Sequence, residues 1–145
     1  MSKRFILLSI LLITFLAGCG GDLANPPLIY LISDGTLVDG FQSSYCWDQG
    51  IGGEICVDTV EPYFESSTLL DGSAPIHFEL DTPLPDMVTL SISKEVFGET
   101  IFSETLPVAE FIDWSPGVPP GEYIIVVHAK WKQGVVSYWF SVLLE

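Results

Sequence analysis

Two long apolar alternations at the C-terminus constrain the fold of this chain more than any other feature. Glu122 to Trp131 and Val135 to Leu144 flank a short turn at Gln133-Gly134. A two-residue turn there pairs Trp131 with Val136, Ala129 with Tyr138, Val127 with Phe140, Ile125 with Val142 and Tyr123 with Leu144. All of these side chains are apolar and share one face. A slip of one residue would turn every one of them toward water, so the buried side of this hairpin is strongly specified. The opposite face pairs Lys130 with Ser137, His128 with Trp139 and Val126 with Ser141, a mixed surface.

Upstream the chain reads as short strands broken by turns, with no amphipathic helix. Leu28–Ile32 ends at Ser33-Asp34-Gly35, and Thr36–Val38 ends at Asp39-Gly40. Pro75–Leu80 alternates with Ile76, Phe78 and Leu80 on one side and His77 and Glu79 on the other. Met87–Ser93 turns Val88, Leu90 and Ile92 inward and Thr89, Ser91 and Ser93 outward. Further short strands are expected at Ile101–Leu106 and Val108–Asp113. Many short strands separated by Gly, Pro and Asp turns imply an all-β sandwich or barrel. Pro119-Pro120-Gly121 before Tyr123 resembles the turn into a late strand of immunoglobulin-like domains, where a tyrosine often closes a corner. The expected fold is therefore an immunoglobulin-like antiparallel β-sandwich over residues 28–145.

The N-terminus carries an address. Lys3-Arg4 precedes an apolar run from Phe5 to Phe15, then Leu16-Ala17-Gly18-Cys19. This resembles the signal peptide and lipobox of bacterial lipoproteins, in which small residues admit the backbone to a peptidase and the Cys thiol accepts diacylglycerol. The resemblance implies that residues 1–18 are removed and Cys19 becomes the acylated N-terminus. A spanning helix needs about 20 apolar residues, more than the run supplies. Plain secretory cleavage also fits Ala17-Gly18, but the complete four-residue match favours lipidation. Residues 19–27 then form the lipidated N-terminus and a tether, Gly20 to Pro27. Gly20, rather than Asp, follows the cysteine, which in a diderm host points to the outer membrane.

From Cys19 onward only Lys94, Lys130 and Lys132 offset 19 Asp and Glu, a formal charge of 3 − 19 = −16. Such a chain lacks the clustered cations that phosphate contacts need, so nucleic acid is excluded as an ordinary partner. Its 48% hydrophobic content argues against disorder. Assigning Cys19 to lipid leaves Cys46 and Cys56 as an even pair in an oxidising compartment. Gly50, Gly52 and Gly53 supply turn chemistry between them, and a hairpin centred on Ile51 sets Cys46 opposite Cys56. A structural disulfide is expected. Redox catalysis lacks a Cys-x-x-Cys spacing, and zinc lacks suitably spaced His77 and His128.

Ser44-Tyr45-Cys46-Trp47 with Cys56-Val57-Asp58 resembles a segment of small bacterial lipoproteins and secreted proteins that have no agreed activity. Pro120-Gly121-Glu122-Tyr123, Ala129-Lys130-Trp131, Gly134 and Ser137-Tyr138 resemble their endings. The resemblance implies an exported, immunoglobulin-like sandwich and lends no catalytic residue.

Few residues point to chemistry. His128, Lys130 and Trp139 form a candidate binding patch on the mixed face, against the plainer reading that a neighbouring strand or loop covers them. His77-x-Glu79 is half of a deaminase-type motif without its Cys pair, and reads as an alternating solvent face. Asp34, Asp39, Asp48, Asp58, Asp71, Asp81 and Asp86 occupy turns, where calcium competes with the ordinary turn role of Asp. No nucleophile elbow, phosphate loop or dinucleotide fingerprint is present. The expectation is a non-enzymatic, lipid-anchored extracytoplasmic binding module without metal or cofactor. Its membrane partner is reached through the anchor, and any charge-steered partner is a basic protein or envelope component. A protease-inhibitor-like sandwich is the alternative, and a hydrolytic enzyme comes third.

Overall fold

The computed structural model describes residues 24–58 and 61–145. The expected signal peptide and Cys19 lie outside the described residues. The strands are β1 (Ile29–Ser33), β2 (Thr36–Val38), β3 (Gly40–Gln42), β4 (Tyr45–Asp48), β5 (Glu54–Val57) and β6 (Thr68–Leu70). They continue with β7 (Ile76–Leu80), β8 (Met87–Ser93), β9 (Thr100–Leu106), β10 (Phe111–Trp114), β11 (Gly121–Lys130) and β12 (Val135–Leu144). No helix among the described residues is long and apolar enough to cross a membrane.

The chain is all-β. One sheet runs β10-β7-β1-β2 and the other β3-β12-β11-β8-β9; β4 and β5 form a separate hairpin. Pairing is antiparallel except for β6, which runs parallel to β12 beyond the end of β3. Inward side chains of both sheets join one core. Ile29, Leu31, Ile76, Phe78, Leu80, Ile112 and Trp114 come from one sheet. Val88, Leu90, Ile92 and the inward row of the β11–β12 hairpin come from the other. Phe78 bridges the layers, with its ring edge-on to Phe140 at 6.5 Å.

The turn between β1 and β2 shows why the sequence folds so locally. Asp34 and Gly35 both have positive φ, 46° and 74°, and a tight two-residue hairpin needs this at both corners. Asp39-Gly40, expected to be a turn, instead carries the chain from one sheet to the other. There Gly40 opens β3 beside Phe140, where a Cβ would meet Cε1 at 2.5 Å. Pro26 and Pro27 are buried, and the Tyr138 hydroxyl donates to the Pro27 carbonyl. The last two residues of the expected tether thus pack as part of the domain.

The C-terminal hairpin keeps the expected face and corrects the register. Ala129 lies opposite Val136, Val127 opposite Tyr138, Ile125 opposite Phe140 and Tyr123 opposite Val142. The pairing shifts by two residues, so side-chain parity survives and the same row is buried. The corner is Lys132-Gln133, because Trp131 and Gly134 exchange backbone hydrogen bonds of 2.8 and 3.3 Å. Gly134 has a different task. A Cβ there would lie 2.3 Å from the Cys46 carbonyl oxygen, so glycine lets β4 approach the hairpin. Trp47 bridges to Gly134. The Asp48 amide donates to the Gln133 carbonyl at 2.9 Å. Trp47 is buried against the edge of Trp131, 5.5 Å between ring centroids.

Candidate functional site

The outer face of the larger sheet is where the candidate patch sits. The corrected register sets His128 opposite Ser137, Lys130 opposite Val135 and Trp139 opposite Val126. His128 and Trp139 are therefore diagonal neighbours, and the expected His128–Trp139 and Lys130–Ser137 pairs do not form. His128 Nδ1 and Ser137 Oγ share a hydrogen bond of 2.7 Å. The ring is half-buried, and loss of solvent holds its pKa below the usual histidine value. Lys130 is exposed beside Met87 and Val135.

Trp139 is covered. It is 8% exposed and forms a second apolar cluster with Ile124 and Val126, packed by Phe41, Phe64 and Val96. The segment between β8 and β9 supplies part of this cover, which is why outward-facing Ser93 is buried; its hydroxyl donates to the Glu95 carbonyl at 2.7 Å. The Trp139 indole N–H is buried without a hydrogen-bond partner. An orphaned buried donor costs about 1–3 kcal/mol.

Next to Trp139 the surface opens into a groove of about 360 Å³, walled by Phe97 and Trp139 and lined by Ser43, Ser44, Glu61, Pro62 and Ser137. Phe97 meets Trp139 edge-on at 5.1 Å, yet it is 69% exposed and has φ +56°. A non-glycine residue in the left-handed region carries strain of about 1–3 kcal/mol, and such outliers gather at ligand-contacting sites. The groove therefore offers an exposed aromatic wall beside hydroxyls and a carboxylate. His128 reaches it only through Ser137, and Lys130 is outside its lining. Phe97 belongs to no periodic pattern in the sequence. Its signal was a large aromatic directly before a glycine in a turn, Phe97-Gly98.

The other candidates resolve as structure. Cys46 lies opposite Cys56 across β4–β5, and the two form a disulfide. Glu54 lies close enough to both sulfurs to complete a metal-ligand trio, but disulfide sulfurs offer no thiolate. His77 pairs with Asp113 at 2.6 Å, solvent-exposed on neighbouring strands β7 and β10. The turn aspartates organise backbone. Asp48 Oδ1 accepts from the Gly50 amide at 2.8 Å. Asp71 Oδ1 accepts from the Ser73 hydroxyl and amide, which hold its carboxyl below the usual range. Comparison with protein-family models, with characterised proteins and with solved structures returned no match.

Proposed function

We propose that this chain is a lipid-anchored, extracytoplasmic binding module on an immunoglobulin-like sandwich, and that it holds its ligand in the Phe97–Trp139 groove. The observation that carries the reading is Phe97 itself, exposed and strained on the rim of a groove that Trp139 helps to wall. A ligand with a flat apolar face and hydrogen-bonding groups suits that lining. The finer fold assignment is supported by strand order. β1, β7 and β10 occupy the positions of strands A, B and E, while β8, β9, β11 and β12 occupy those of C, C′, F and G. The Tyr123 hydroxyl donates to the Pro119 carbonyl at 2.7 Å, which is the bond of a tyrosine corner at the start of strand F. On this reading β2 to β6 are an insertion between A and B.

Lipidation at Cys19 and location on the outer side of a membrane rest on the Leu16-Ala17-Gly18-Cys19 match. Two acyl chains anchor stably without a spanning helix, at about 0.8 kcal/mol per buried methylene. Mass spectrometry of the mature N-terminus tests this directly, and an unmodified Cys19 would refute it. Crosslinking of the full-length protein in its own envelope tests the groove. Phe97→Ala should abolish a stoichiometric crosslinked complex that Lys132→Ala retains; equal capture by both variants would exclude the groove.

A protease-inhibitor role is favoured by one feature. Ile51 is wholly exposed at the tip of the disulfide-braced β4–β5 hairpin. Inhibition of a serine protease that changes preference with Ile51→Arg would support this role over the first.

A further inference from the structure

The seven-residue strand β9 is an open edge. It pairs with β8 on one side, and no described strand pairs with its other side. The remaining sheet edges are shorter: β4, β5 and β10 have four residues each, and β2, β3 and β6 have three each. Along β9 the N–H and C=O groups of alternate residues therefore face outward, ready to accept another strand.

The inward row of this strand contains an anomaly. Leu106, Glu104 and Phe102 lie opposite the buried Val88, Leu90 and Ile92. Leu106 is buried and Phe102 packs against the core, but Glu104 between them is exposed. A charge on the inward row of an edge strand blunts indiscriminate pairing, because an apolar strand docking there must desolvate a carboxylate. Charge nearby is one-sided as well. Glu95, Glu99, Glu104 and Glu110 lie on or beside β9 and β10, as does Asp113, which pairs with His77, and no Lys or Arg occurs between residues 95 and 129. The adjoining Lys94 is occupied, with its Nζ 3.7 Å from the centre of the Tyr123 ring. Two copies pairing through β9 would juxtapose two such acidic sides, an unfavourable arrangement.

We propose that the β9 edge accepts an extended basic segment of a partner protein as an added antiparallel strand, with a Lys or Arg of that segment set against Glu104. Backbone hydrogen bonds would supply the docking and the acidic side its selectivity. This surface is separate from the Phe97–Trp139 groove, and either can fail without the other.

The test uses the isotopically labelled full-length protein and two probes, an alternating valine–lysine octapeptide and its valine–glutamate counterpart. The lysine peptide should slow amide exchange at alternate β9 residues by about tenfold or more. The effect should weaken as salt rises from about 50 to 500 mM, and the glutamate peptide should be silent. Glu104→Lys should reduce binding of the lysine peptide severalfold, whereas Glu65→Lys, between β5 and β6, makes the same charge change and should leave it nearly intact. Protection at another edge, equal losses in the two variants, or indifference to the sign of the peptide would each overturn the proposal. Both variants change exposed residues, and an unchanged amide spectrum outside the substituted site verifies their fold.

Discussion

Replacing Gly134 by alanine should loosen the disulfide hairpin from the body of the domain. The new Cβ would sit 2.3 Å from the Cys46 carbonyl oxygen and 3.2 Å from Trp47 Cε3. The first neighbour is backbone and cannot rotate away, so β4 must retreat from β12. Overpacking of this kind costs about 1–3 kcal/mol. Retreat also breaks the bond from the Asp48 amide to the Gln133 carbonyl, worth about 0.5–1.5 kcal/mol. The combined loss is roughly 2–4 kcal/mol, which for a domain of this size lowers Tm by roughly 6–20 °C. Thermal unfolding followed by circular dichroism measures it. The near-ultraviolet signal of the Trp47–Trp131 pair reports whether the hairpin has moved. Gly117→Ala is the internal control, because a Cβ there meets nothing within 4 Å and should change stability by less than about 0.5 kcal/mol. A Gly134→Ala protein that melts within about 2 °C of the parent, with the aromatic signal intact, would refute the close approach.

Four further outcomes follow from the same geometry. Tyr123→Phe removes the hydroxyl that donates to Pro119 and should cost about 0.5–1.5 kcal/mol in chemical denaturation, with no change of fold. Reducing the Cys46–Cys56 bond should cost about 2–3 kcal/mol by the loop-closure argument; a melting curve unchanged by reductant would contradict it. Val127→Asp and Phe140→Asp each bury an unpaired charge and should unfold the domain, whereas Lys132→Asp at the exposed corner should be mild. Burial lowers the His128 pKa in the folded state, so below neutral pH the unfolded chain takes up its proton first. Its contribution is full above the unfolded-state pKa and is lost as pH falls through the lower folded-state value. His128→Gln should flatten that part of the pH–stability curve, and an unaltered slope would show the ring to be freely solvated.

Much of the fold is legible in the residues because a period of two is a local signal. Ile76-x-Phe78-x-Leu80 and Val88-x-Leu90-x-Ile92 announce their buried faces, and both faces are buried as expected. The disulfide hairpin is legible too, since Gly50, Gly52 and Gly53 leave little freedom in where it turns. What is not local is not legible. Gln133-Gly134 looks like a turn in sequence, and only the approach of β4, nearly ninety positions earlier, shows that glycine was needed for space. Strands β3 and β6 have three residues each, too few to display a period. The groove depends on Phe97 and Glu61 reaching Trp139 from segments remote in sequence; of the patch His128, Lys130 and Trp139, Trp139 alone is in its lining.

The charge of the molecule gains meaning only when mapped onto this topology. A formal charge of −16 on the chain from Cys19, taken alone, is equally a solubility feature. Two of its three lysines, Lys130 and Lys132, sit at the β11–β12 corner, and Lys94 lies on the Tyr123 ring. The β9–β10 side keeps its acidic groups with no lysine or arginine between residues 95 and 129, Asp113 alone having a histidine partner in His77. Fields from exposed charges decay over about 8 Å at physiological ionic strength. Local asymmetry at an edge therefore steers an approaching segment more than the total does. Solubility alone gives no reason for Glu104 to occupy the inward row between Phe102 and Leu106, where an apolar residue would have extended the core. A carboxylate there hinders an apolar strand from pairing with β9, because docking would desolvate it.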